Sequence, residues 1–136
     1  MFKFLFPCFL FLACSSSKIR NQNNIQKLQG KWQLIEFRGV GITSSNNMIL
    51  DIQENNNLHF KGICNEIVGE WWEDKHPTLI QFKKLSITDE VCETVHYDKF
   101  IYEMFIQTNN FTIQNDTLIL NNFKIASLCK WIKIKE

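Results

Sequence analysis

Residues 94–107, Thr-Val-His-Tyr-Asp-Lys-Phe-Ile-Tyr-Glu-Met-Phe-Ile-Gln, decide the fold class. In this stretch Tyr97, Phe100, Ile101, Met104 and Phe105 recur at steps of three and four residues. That spacing places side chains on one face of an α-helix, so it predicts a helix with a single buried stripe. Asn109-Asn110 ends it. A membrane or partner surface would show the same stripe, but packing against a sheet is the commoner cause, and the flanking sequence supplies the sheet.

Upstream, Gly30 to Phe37 has the composition of a strand and stops at the Gly39-Val40-Gly41 loop. Met48 to Ile52 and Leu58 to Gly62 flank Asn55-Asn56-Asn57, which reads as a hairpin. Ile67 to Trp72 and Thr78 to Phe82 follow, joined through Asp74-Lys75-His76-Pro77, where the proline breaks any regular element. Downstream, Phe111 to Ile113 and Leu118 to Leu120 flank Asn115-Asp116, a second hairpin signal. The closing strands are Phe123 to Ala126 and Cys129 to Ile134, or one strand with a bend. One helix interrupting an antiparallel meander makes an α+β domain.

The first thirteen residues carry one cation, Lys3, ahead of an apolar run from Phe4 to Leu12 and the small residue Ala13. That is the layout of a signal peptide. A nine-residue helix rises only about 14 Å, far less than the roughly 30 Å hydrocarbon core, so the run does not predict a membrane span. Phe11-Leu12-Ala13-Cys14 resembles the lipobox of bacterial lipoproteins, with Phe11 where leucine is usual. In such proteins the cysteine is lipidated and the chain is cut just before it. The expected organisation is a signal peptide over 1–13, a lipidated Cys14 with a flexible tether over 14–28, and a domain over 29–136. The tether residues 15–28 are polar and lack aromatics. Extended, they reach at most about 50 Å. Ser15 follows the cysteine where lipoproteins retained on the inner membrane carry aspartate, so an outer-membrane location is expected, facing the periplasm or the cell surface.

Cleavage after Ala13 removes one of the fifteen basic residues and none of the fourteen acidic ones, leaving a formally neutral chain. Nucleic-acid binding requires clustered basic charge, and the sequence has none. Attraction to anionic lipid would be weak, so the acyl chains on Cys14 would hold the membrane.

Two stretches go beyond composition. Residues 62–71, Gly-Ile-Cys-Asn-Glu-Ile-Val-Gly-Glu-Trp, contain a Cys-Asn-x-x-x-Gly-x-aromatic pattern, and residues 88–92, Thr-Asp-Glu-Val-Cys, precede the helix. With the opening Gly30-x-Trp32 strand and the closing helix and strands, their order resembles the META domain, or HslJ-like, family from about Leu28 to Ile134. Ile63 stands where the family usually has glycine. The resemblance implies an antiparallel, barrel-like sheet packed on one helix, often in envelope lipoproteins, and no known reaction. Its motif residues here are Trp32, Gly62, Asn65, Gly69, Trp71 and Thr88. By chemistry, Asn65 suits amide bonds to nearby backbone and Gly69 suits a bulge or close approach, both roles in building the fold.

Five cysteines are present. Cys8 leaves with the signal peptide and Cys14 takes lipid, so Cys64, Cys92 and Cys129 remain, an odd number in an oxidising compartment. Because Cys64 and Cys92 both lie in the family motifs, the resemblance predicts a disulfide between them. It leaves Cys129 as a buried small hydrophobe. A metal site from Cys64, Cys92 and His96 is the alternative, but the paired short spacings of zinc sites are missing. No metal or other cofactor is expected.

His59, His76 and His96 fall in a strand, a loop and a helix, and no motif sets a serine or carboxylate beside them. Glu70, Glu73 and Asp74 beside Trp71 and Trp72 imitate a glycosidase pair, but at a hairpin end they read as a solvated charge cluster. No glycine-rich phosphate loop follows a strand. An enzyme is therefore not expected, and the reading is a non-enzymatic envelope lipoprotein that binds a protein or surface partner, an envelope protein or a small ligand, with stress tolerance as the setting that the family resemblance implies. The alternative is a carrier of a small apolar ligand, because Gly30-Lys31-Trp32 also resembles the opening of lipocalins. A carrier needs an open apolar interior.

Overall fold

The computed structural model describes residues 23–43, 47–92, 97–124 and 126–135. The signal peptide, Cys14 and His96 lie outside these residues. In chain order the elements are α1 (residues 23–28), β1 (Gly30–Phe37), β2 (Val40–Gly41), β3 (Ile49–Ile52), β4 (Asn57–Lys61), β5 (Glu66–Glu73), β6 (Ile80–Ile87), α2 (Tyr97–Gln107), β7 (Asn110–Gln114), β8 (Thr117–Asn122) and β9 (Ala126–Lys133). The strands form one antiparallel sheet in the order β6-β5-β4-β3-β1-β9-β8-β7, with β2 folded back onto β1. The fold is α+β, as the helix within a meander requires.

The sheet curls into a barrel-like trough. Its two end strands meet at one corner, where Leu79 bridges Asn110 and Phe111 N–H donates to the Thr78 carbonyl at 2.9 Å. Helix α2 connects β6 to β7 and packs over the open side. Strand alternation turns Trp32, Leu34, Leu50, Ile52, Leu58, Phe60, Ile67 and Trp71 inward, where they meet Leu118, Leu120 and Trp131. From the helix, Phe105 enters this interior. Its ring stacks on Trp131 at 6.2 Å and meets Phe60 and Phe82 edge-on at 5.7 and 5.2 Å. The middle of the trough is thus filled with aromatic side chains.

Three sequence expectations need adjustment. In α2 the buried face is Asp98, Ile101, Met104 and Phe105, whereas Tyr97 and Phe100 are exposed. Asp98, Ile101 and Phe105 follow i, i+3, i+7 spacing, so a buried polar anchor has rotated the stripe. Strand β6 runs to Ile87, not Phe82, because a bulge interrupts its alternation at Lys84, which sits at φ 51°. Phe123 lies in an exposed turn, and the last strand begins at Ala126.

The packed part of the domain also begins before residue 29. Residues 23–28 are helical and Leu28 is buried. Trp32 Nε1 donates to the Leu28 carbonyl at 2.8 Å, and the Lys133 ammonium donates to the Lys27 and Gln29 carbonyls. These donors satisfy carbonyls that the end of a helix leaves unpaired. None of the described helices is long and apolar enough to cross a membrane.

Candidate functional site

The turn between β4 and β5 gathers the sequence motifs into one cluster. Gly62 N–H donates to the Asn65 carbonyl at 2.9 Å, closing a tight loop whose next three amides turn toward α2. The Asp98 carboxylate, in the first turn of α2, receives all three: Ile63 at 3.1 Å, Cys64 at 2.9 Å and Asn65 at 2.7 Å. Charged acceptors make the stronger class of hydrogen bond, and here one side chain accepts a whole loop. Gly62 has no Cβ because the Asp98 carboxylate occupies that space.

The segment after β6 is tied to the same loop. Asn65 Oδ1 accepts from Thr88 Oγ1 at 2.9 Å and from Glu90 N–H at 2.8 Å. Thr88 Oγ1 in turn accepts from Glu66 N–H at 3.0 Å. A Cys64–Cys92 disulfide completes the link. The structure therefore brings Gly62, Cys64, Asn65, Thr88 and Cys92 together, with Asp98 at their centre. Asp98 was not found from sequence, since only the apolar period was counted. The available signal was an acid in the first helical turn.

The other motif residues stand elsewhere. Gly69 opposes the β6 bulge, and a Cβ there would come 2.7 Å from Leu85 Cδ2 and 2.9 Å from the Lys83 carbonyl. Trp71 is buried, with Nε1 donating to the Gln53 carbonyl at 2.9 Å. Trp32 caps α1, as described above.

On the outer face of β4, β5 and β6 lies a shallow groove lined by Asn57, His59, Val68, Glu70, Lys84 and Ser86. Its charges are paired: His59 Nε2 with Glu66 at 3.0 Å, and Lys84 with Glu70 at 2.9 Å. The Lys84 hydrogen bond, opposed by partial desolvation and helped by Trp72 Nε1, holds the Glu70 carboxyl below its ordinary range. His59, Val68 and Ser86 are register partners across three strands. Two strand spacings, about 10 Å, separate Ser86 from His59, too far for a nucleophile and its base. Glu70 is committed to Lys84, and Asp74 accepts from the Lys75 amide. Among the described residues no three His, Cys, Asp or Glu side chains are placed to hold a metal. Cys64 and Cys92 are bonded to each other, and His96 is outside the described residues.

Cys129 is free and buried. Trp131 Nε1 donates to its sulfur at 2.8 Å, and the thiol lies 3.5 Å from Met104 Sδ. Burial pushes the thiol far above its ordinary range, more than the Trp131 bond lowers it.

Among curated proteins, none matches this chain. Four chains of solved structures match it, among them the following two. A DUF4847 family protein from Bacteroides vulgatus aligns at TM-score 0.59 with 10% identity, over 79% of this chain and 94% of that one. A protein solved by NMR aligns at TM-score 0.63 with 18% identity, over 80% of this chain and 92% of that one. At such identities the likeness is one of fold. The family model of the META domain matches residues 24–131, the span that holds the barrel, the helix and the cross-linked loop, and the chain belongs to the META domain family.

Proposed function

We propose that this META-domain chain is an envelope lipoprotein, held on the outer membrane by lipid at Cys14, that acts by binding a partner protein and not by catalysing a reaction. We place that binding in the cell envelope, with stress tolerance as its setting. The observation that carries the reading is the filled interior: Phe60, Phe105 and Trp131 occupy the place where a carrier would hold ligand. The motif residues support it as well, since their polar atoms bind one another or the backbone and shape a surface. A molecule built this way presents its exterior to a partner.

The test is a pull-down from detergent-solubilised envelope with the mature chain as bait, run beside metabolic palmitate labelling. The expected result is label on the protein, its loss in C14S, and reproducible co-purification of an envelope protein. Absence of label would overturn the anchor. An apolar small molecule retained in a native mass spectrum would overturn the binding reading in favour of a carrier.

A further inference from the structure

The chain enters the domain at one end of the barrel, and that end is opposite the disulfide. Strands β1, β3 and β4 pair antiparallel in register, so Gly30, Ile52 and Asn57 gather at the entry end, while Phe37, Lys61 and the Cys64–Cys92 loop lie at the other. An eight-residue strand such as β1 separates the two ends by about 25 Å. Helix α1 is seated among the turns of the entry end. Gln26 lies beside Gln53 and Glu54, and Lys27 beside Asn115 and Asp116. Ile25 and Leu28, three positions apart, turn their apolar side chains onto the core. Trp32 Nε1 and the Lys133 ammonium hold the carbonyls at its end, and Lys133 Nζ lies 4.3 Å from the Trp32 ring centroid. A helix over residues 23–28 is too short to persist alone, so these contacts are what keep it.

Docking α1 shortens the tether. Between Cys14 and Asn23 lie eight residues, with a reach of at most about 30 Å. With α1 undocked, fourteen residues would separate Cys14 from Gln29 and the reach would be about 50 Å. To bring the disulfide end to the bilayer, the eight residues would have to run back along the roughly 25 Å length of the domain, using nearly their full reach. A chain held that straight forfeits conformational entropy. Fourteen residues would make the same turn with slack. The rim itself is mixed in charge, since Lys27, Lys133 and Lys135 stand with Glu54 and Asp116, and Lys135 pairs with Asp116 at 3.1 Å. Geometry, not attraction to lipid charge, does the orienting.

We infer that the docked α1 makes the entry end of the barrel the lipid-facing surface of the anchored protein and turns the disulfide end away from the bilayer. This rests on the Cys14 anchor proposed above and adds which face meets lipid. Ile25, Leu28, Trp32 and Lys133 are the positioning residues, because they decide where the domain stops and the tether begins.

The full chain, purified from bacterial membranes, is reconstituted in vesicles of phosphatidylethanolamine and phosphatidylglycerol and labelled with a maleimide donor dye in E54C or V40C, one at each end. Cys64 and Cys92 are bonded, Cys129 is buried and Cys14 is acylated, so the dye takes only the introduced thiol. Energy transfer to an acceptor on the lipid headgroups should be at least about twofold greater from position 54 than from position 40, given about 25 Å between the ends. A Gly-Ser insertion of about fifteen residues after Gln22 adds about 50 Å of reach and should erase the difference while leaving the domain intact. I25D/L28D, checked by circular dichroism for a folded barrel, should erase it as well. Equal transfer in the parent, greater transfer from position 40, or a difference that survives the insertion would overturn the inference. Absence of palmitate label would overturn the anchor and this orientation together, whereas labelled protein with equal transfer overturns the orientation alone.

Discussion

Gly62 lies so close to the Asp98 carboxylate that a methyl group at position 62 would overlap it. The two residues are 36 positions apart in sequence order, yet each makes sense only with the other. The glycine admits the carboxylate, and the carboxylate accepts the three amides that follow the glycine. G62A should cost about 2 kcal/mol through overpacking. D98A should cost about 3 kcal/mol, because three amides lose a charged acceptor. In a double-mutant cycle the pair should fall short of additivity by about 1 kcal/mol, since alanine at 98 removes the nearer obstacle to a methyl at 62 and leaves only the Asn65 carbonyl, 2.7 Å from it. Urea denaturation of the four proteins measures this, and full additivity would show that the two sites do not share the space.

The disulfide closes a separation of 28 residues. Constraining that loop in the unfolded chain contributes up to about 3.5 kcal/mol in the chain-entropy account. The Asn65 and Asp98 hydrogen bonds hold the same segments without it. C64A/C92A should therefore lower stability by about 2–3.5 kcal/mol while leaving the circular dichroism spectrum and a cooperative transition intact. Loss of cooperative unfolding in the double variant would mean that the hydrogen-bond network forms only behind the covalent link.

Much of this architecture was legible from local chemistry, and what was not has a common cause. Strand β1 appears with the limits its composition implies, and the hairpins around Asn55-Asn56-Asn57 and Asn115-Asp116 lie where turn residues interrupt apolar runs. The Cys64–Cys92 pairing followed from the family motifs and is present. Local pattern failed where a distant partner overrides it. Asp98 lies outside the apolar period of its helix, and only the amides of residues 63–65, 33 to 35 residues away, explain its burial. Leu28 reads as part of a polar tether until Trp32 and Lys133 cap the helix it ends. Gly69 signalled a bulge or close approach, but that the extra residue falls on β6 at Lys84 depends on the pairing of the two strands.

Cys129 should be inert in the native protein. It is buried between Met104 and Trp131, and burial pushes its thiol well above the ordinary range. Only a thiolate reacts at a useful rate, so neither Ellman's reagent nor iodoacetamide should modify it at pH 8. In denaturant it should react as one thiol per chain, with Cys64 and Cys92 still joined and Cys14 lipidated or replaced. Rapid labelling of the folded protein would show that the β9 face of the core opens.

The rotated stripe of α2 separates two phenylalanines that sequence alone treats as equivalent. Phe105 is buried, stacks on Trp131 and touches Phe60 and Phe82, whereas Phe100 is exposed. Removing the Phe105 ring opens a cavity in the middle of the barrel, so F105A should cost about 3–5 kcal/mol. Removing the Phe100 ring exposes little that was dry, and F100A should fall within about 0.5 kcal/mol of the parent. Thermal or urea unfolding of the two variants distinguishes the register set by Asp98 from one in which Tyr97, Phe100 and Met104 face the sheet. Equal losses would place both rings in the core and contradict the anchored rotation.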